Sequence, residues 1–145
     1  MSAITRQAVS PVARRSSIGF MGIFGRSADL RQFDQALRSI DLHPRLVPEA
    51  VKLTAVSLVK DHANSDDPPL EAYRAAAEIV GYCMIGDDSF AGANGESLAL
   101  AVERRIEAAL DAGESLDAKL VLLTLHAKVI QPSVVHRYEL ESTRG

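Results

Sequence analysis

From residue 27 onward, apolar side chains recur at intervals of three and four, the period of a helix, and runs that alternate at a period of two are absent. Leu30, Phe33, Leu37 and Ile40 mark a first helix, with Ser27 suited to cap it and Asp29 placed as an acid in its first turn. The break Asp41-Leu42-His43-Pro44-Arg45 ends that helix, because a residue before proline is pushed out of the helical region. Pro48 suits the first position of a second helix, whose stripe Val51, Ala55, Leu58 and Val59 runs as far as about His62. A polar loop from Ala63 to Asp67 follows. Asp67 is then an N-cap with Pro68 just inside, and Leu70, Tyr73, Ala77, Val80 and Met84 carry a third helix to Gly86.

Asp87 to Gly95 is the most glycine-dense part of the body and reads as a loop, with Phe90 as its anchor and Asn94 as the cap of the next helix. Leu98, Val102, Ile106, Ala109 and Leu110 define a fourth helix that Gly113 closes, with Glu103, Arg104 and Glu107 turned toward water. Ser115 caps a fifth helix, residues 116–130, whose centre Leu120-Val121-Leu122-Leu123 is apolar all round. A helix of that kind lies centrally or at a subunit interface. Pro132 ends it, and Ser133 to Glu141 supply a short sixth helix with Val134, Val135 and Tyr138 inward. The expected fold is all-α: a single compact domain over 26–145, with five to six helices around the hydrophobic helix 116–130 and a disordered arm over 1–25 in front of it.

That arm is rich in Ser and Arg, contains Pro11 and shows no sustained period. An organellar transit peptide, a secretory or twin-arginine signal built on Arg14 and Arg15, and a basic binding arm compete for it. A fourth reading takes Met21 as the natural start and residues 1–20 as an over-long gene call. Ile18 to Gly25 has the length of a signal core but runs into Arg26 where a small-residue cleavage site belongs. The same Arg26 stands where myristoylation after Gly22 calls for Ser or Thr.

Charge narrows the partner. The chain carries a formal net charge of -3, yet its first 28 residues hold Arg6, Arg14, Arg15 and Arg26 and no acid. From Asp29 onward, twelve basic side chains face nineteen acidic ones. A body of that sign repels a phosphate backbone, so nucleic acid is not the expected partner. With 145 residues, 47% hydrophobic and 24% charged, the composition is that of a soluble globular chain. No apolar run approaches the roughly 18 residues of a membrane span. The single cysteine, Cys83, has no partner for an intramolecular disulfide, which points to a reducing, cytoplasmic setting.

The candidate chemistry centres on the break between the second and third helices. Asp61, His62, Asp66, Asp67 and Glu71 fall within eleven residues there, and the four carboxylates among them are oxygen ligands suited to calcium or magnesium. The competing account is capping, with Asp67 and Glu71 at the positive end of the third helix. An EF-hand is excluded. Starting from Asp61, Ala63 falls where a ligand belongs; starting from Asp87, Ala91 holds the fifth place and Leu98 the twelfth. The acid-bearing junction between amphipathic helices resembles the TerB-like tellurite-resistance family, in which an Asp-Gly pair and a following Glu occupy such a junction. Asp66 and Glu71 match that pattern, Asp67 replaces the glycine, and Pro68 and Pro69 intervene. The resemblance implies an all-helical fold in which these acids bind metal, so Asp61, Asp66, Asp67 and Glu71 form the expected metal set.

Elsewhere the residues point to packing. His43, His62, His126 and His136 are scattered, with no two at the spacing that places both on one zinc ion. His126 reads as a buried base or, more simply, as a hydrogen-bonded core histidine. Cys83 reads as a nucleophile or as a small buried hydrophobe. Gly92 to Ser97 lacks the lysine of a phosphate-binding loop, and the string Arg14-Arg15-Ser16-Ser17 is given no function. Glu103, Arg104, Arg105, Glu107 and Asp111 form a mixed-charge, solvated stripe. No catalytic constellation emerges and no cofactor is called for. The expected function is a non-enzymatic helical protein-interaction module that pairs with itself as a homodimer or with another protein. The alternatives are an acidic-loop divalent-metal domain, and an enzyme whose site assembles only in three dimensions from Tyr73, Glu78, Cys83 and His126.

Overall fold

The structure, a computed structural model, describes residues 16–140, with side chains from Ala28 onward. It is all-helical, with no strand among the described residues. In chain order the helices are α1 (Ser16–Ser39), α2 (Glu49–Ala63), α3 (Leu70–Ile85), α4 (Asp87–Asn94), α5 (Glu96–Ala112), α6 (Leu116–His126) and α7 (Pro132–Arg137), with a 3₁₀ turn at Pro44–Leu46. No helix is long and apolar enough to cross a membrane among the described residues.

The chain divides into two units between Gln32 and Phe33, inside α1. Of the first unit, residues 16–32 are described, and they are helical from Ser16. α1 begins at Ser16, so Ser27 lies inside it instead of capping it. Its three glycines cost the helix about 1 kcal/mol each relative to alanine, but no proline interrupts it. Residues 1–15, which carry most of the expected arm and the proposed signal arginines Arg14 and Arg15, lie outside the described residues.

In the second unit, α6 packs against α2, α3 and α5, as its all-round apolar surface predicts. Ala118, Leu120, Val121 and Thr124 of α6 are buried, Leu122, Leu123 and Leu125 are half-buried, and the Thr124 hydroxyl donates to the Val121 carbonyl at 2.7 Å. Against it, α3 buries Tyr73, Ala76, Ala77, Ile79, Val80, Tyr82 and Cys83 on almost every side. Each large side chain removed from water in this way contributes roughly 1.5–3 kcal/mol. Phe33, Leu37 and Ile40 complete the core from the end of α1.

Two elements differ from expectation. Asp87 to Asn94 is a helix where a loop is expected, bracketed by Gly86 at φ +90 and Gly95 at φ +94, backbone that only glycine adopts freely. Phe90 is fully buried, and Asn94 closes α4 by donating to the Ile40 carbonyl at 2.9 Å and the Phe90 carbonyl at 3.3 Å, so Gly95, not Asn94, precedes α5. In addition, α6 ends at His126, short of Ile130. Lys128 turns left-handed at φ +63, and the Lys128 and Val129 amides donate to the Leu125 and Thr124 carbonyls, both at 3.1 Å. This paired closure is the Schellman arrangement. Ser115 does cap α6, its hydroxyl accepting from the Ala118 amide at 3.1 Å.

Candidate functional site

The acidic junction lies where α2 ends and α3 begins. Asn64 leaves α2 in the left-handed conformation at φ +52, which its short polar side chain tolerates. The Asp67 amide then donates to the Ser65 hydroxyl at 3.0 Å, and α3 starts at Leu70 behind Pro69, with no side-chain cap. The expected cap at Asp67 is therefore absent: Pro68 and Pro69 have no amide to be capped, and they delay the helix past the reach of Asp67. Asp61, Asp66, Asp67 and Glu71 are all exposed. Two of them come together: Asp61 and Asp66 line one hollow of about 320 Å³ with Lys60, Asn64 and Ser65. Asp67 and Glu71 do not join its lining. Among the described residues, no group of three His, Cys, Asp or Glu side chains is gathered closely enough to hold a metal ion.

Beside this hollow, α2, α3 and the start of α6 enclose a more apolar one of about 350 Å³. Val59, Ala63, Ala72, Ala75 and Leu116 form its apolar wall, with His62, Ser115 and Asp117 completing the lining. A third, of about 180 Å³, shares His62, Ser115 and Leu116 and adds Leu58, Asp61, Glu114 and Lys119. Small side chains on α3 leave this space, since Ala72 and Ala75 present no more than a methyl group.

One edge is held rigidly. Arg105 of α5 donates from Nε and Nη2 to the two carboxylate oxygens of Asp117 at 3.2 and 3.0 Å, from Nη1 to Glu78 Oε1 at 2.9 Å, and from Nη2 to the Ala75 carbonyl at 2.9 Å. The fork-to-fork geometry with Asp117 is the strong, directional form of this pair. Arg105 thus joins α3, α5 and α6 and leaves the solvated stripe in which the sequence places it.

A second polar cluster lies under α7. Glu103 is buried, contrary to the expectation that it faces water, and accepts from the Tyr82 hydroxyl at 2.7 Å and from Arg137 Nη2 at 3.2 Å. Arg137 also donates from Nη1 to Asp87 at 3.2 Å and stacks over Tyr138, 5.6 Å from the ring centroid. Burial, and then the bond to Glu103, push the Tyr82 phenol far above the usual range, and burial raises Tyr138 as well. The Tyr138 hydroxyl is buried with no hydrogen-bond partner. Phe90 closes the cluster edge-on to Tyr82 at 5.6 Å between centroids. One signal for Glu103 was present: it follows Ala99 by four and precedes Ile106 by three, which places it on the buried stripe of α5.

The residues named for a three-dimensional catalytic site do not converge on shared chemistry. His126 is exposed at the end of α6, so neither the buried base nor the core histidine describes it. Tyr73 and Cys83 are fully buried, and Glu78 is bound to Arg105. Desolvation pushes the Cys83 thiol up to about 12, with a hydrogen bond from Thr124 opposing the shift, so the thiol stays protonated at neutral pH. Set beside known proteins, the chain matches no family, no curated protein and no solved structure.

Proposed function

We propose that this chain is a non-enzymatic helical interaction module that associates with itself. The observation that supports the reading is the surface hollow between α2, α3 and α6, in which small apolar side chains leave about 350 Å³ open and the polar edge is braced by the Arg105–Asp117 pair. A recess with an apolar wall and a fixed polar edge suits insertion of a partner's side chain, the usual anchor of a protein contact. Light-scattering mass of the full chain across a range of concentrations tests it: a dimer supports self-association, and a monomer at every concentration rejects it.

The divalent-cation reading, in line with the TerB-like resemblance, has one observation in its favour. Asp61 and Asp66 share a hollow with the oxygen-bearing Asn64 and Ser65. Calcium or magnesium bound there raises the melting temperature with occupancy, and a chelator reverses the rise; a melting temperature indifferent to both ions rejects the reading.

A further inference from the structure

α7 has a small apolar footing. Within it only Val134 is buried, and Leu140 follows as the second apolar anchor. The rest of its attachment is polar. The Gln131 amide donates to the Cys83 carbonyl at 2.8 Å and Gln131 Nε2 to the Met84 carbonyl at 2.9 Å, which caps the C-terminal end of α3. Arg137 then reaches Asp87 on α4 and Glu103 on α5.

Two features oppose this seat. The Tyr138 hydroxyl is buried with no hydrogen bond of good geometry, the neighbouring Tyr82 phenol being engaged with Glu103, a deficit that the attached state bears and an opened state returns to water. The connection from α6 passes through Lys128 at φ +63, and Glu139 beyond α7 is at φ +55. Gly113 closes α5 left-handed without a side chain, and Asp41 and Asn64 are also left-handed at helix ends, where their short polar side chains ease that conformation. Lys128 has no such side chain, occupies the place where a Schellman closure ordinarily has glycine, and is exposed together with His126 and Ala127. A short connection under strain favours exchange of the segment beyond it.

Every group that holds α7 is supplied equally well by an identical chain. We propose that the second copy is held by exchange of α7: the connection at Lys128 extends, and each copy lays Gln131 to Leu140 onto α3, α4 and α5 of the other. Such a dimer is closed and two-fold, remakes each hydrogen bond and ion pair that seats α7, opens the Lys128 and Val129 amide bonds to water, and gains the relaxation of two strained connections. The inference rests on the self-association reading and assigns the contact between copies to α7 in place of the hollow between α2, α3 and α6.

Exchange has a signature that an ordinary interface lacks, because the anchors contribute equally to the closed and exchanged forms and cancel, whereas the connection does not. Full-length chains carrying Lys128→Gly, Lys128→Pro and Arg137→Ala are compared by light-scattering mass against concentration. Glycine relieves the strain of the closed form and weakens dimerisation by roughly tenfold or more. Proline cannot adopt a positive φ and lacks the amide that bonds Leu125, so it drives the population to dimer. Arg137→Ala leaves the dimer constant within about twofold while lowering stability. Should the proline chain fail to fold by circular dichroism, the opposed behaviour of the glycine and arginine variants decides. A dimer indifferent to Lys128→Gly, or lost in Arg137→Ala, overturns exchange and leaves self-association through another surface. A wild-type chain that is monomeric throughout overturns both.

Discussion

Two arginines each bridge two carboxylates in this protein, and they do different work. Arg105 stands in the middle of the seventeen-residue α5, has a side chain 29% exposed, and spends four hydrogen bonds on Asp117, Glu78 and a backbone carbonyl. Arg137 ends the six-residue α7, is 42% exposed, and makes one bond of 3.2 Å to each of two acids. The first is anchored on a helix that is itself held along its length, so its pairs lock elements already in place. The second is the attachment of its own helix. The number of ion pairs is the same; what differs is how much packing stands behind the guanidinium, and that decides whether the pair acts as a brace or as a releasable tie.

Alkali probes the rigid side most strongly. Cys83 on α3 faces Thr124 of α6, with its folded thiol raised to about 12 from an ordinary value of 9.0. Because the folded value is the higher one, the associated stability is complete below about pH 9 and is lost as pH rises toward 12, on the order of 4 kcal/mol over that window. Denaturation of wild type and Cys83→Ala at pH 8 and pH 11 isolates this thiol from the tyrosines, and parallel pH curves for the two would contradict it. Next in size is Arg105→Ala, expected to cost about 2–3 kcal/mol because it strands two partly buried carboxylates; Arg105→Lys recovers little, since an ammonium cannot reproduce the fork.

Arg137→Ala is expected to cost about 1–2 kcal/mol in global stability, because its own guanidinium is exposed but it leaves the buried Glu103 with the Tyr82 hydroxyl alone. Hydrogen exchange separates the two arginines further: faster exchange in Arg137→Ala is confined to amides of residues 131–140, whereas Arg105→Ala loosens α3, α5 and α6 together. Equal and global effects in both variants would erase the distinction drawn above. The smallest expected effect is Asp67→Ala, within about 0.5 kcal/mol, while Ser115→Ala costs about 1 kcal/mol as the loss of a true cap. A penalty at Asp67 as large as that at Ser115 would restore the capping role that the structure removes.

Much of the fold could be read from the chain because its signals are local. The stripes of α2, α3 and α5, the cap at Ser115, the stops at Gly86 and Gly113, and the central place of the all-apolar α6 each depend on residues within a few positions of one another. Where glycine density was taken as a loop, at 87–95, the two glycines with positive φ instead mark the ends of a short helix anchored by Phe90. At the acidic junction the arrangement is not legible: eleven residues of sequence do not say that Asp61 and Asp66 share a hollow whose lining Asp67 and Glu71 do not join.

That the second unit is helical, which helix lies at its centre and where most helices begin and end all follow from local residue patterns. Backbone period, caps and breakers act over one or two turns and need no distant partner. Long-range packing, in contrast, buries Glu103 beneath Tyr82 and Arg137, lets Arg105 brace three helices, and seats α7 by Gln131 and Arg137 over the end of α3. Those pairings join residues 12 to 47 positions apart, and a long polar side chain at such a distance finds its partner only through the way whole helices pack.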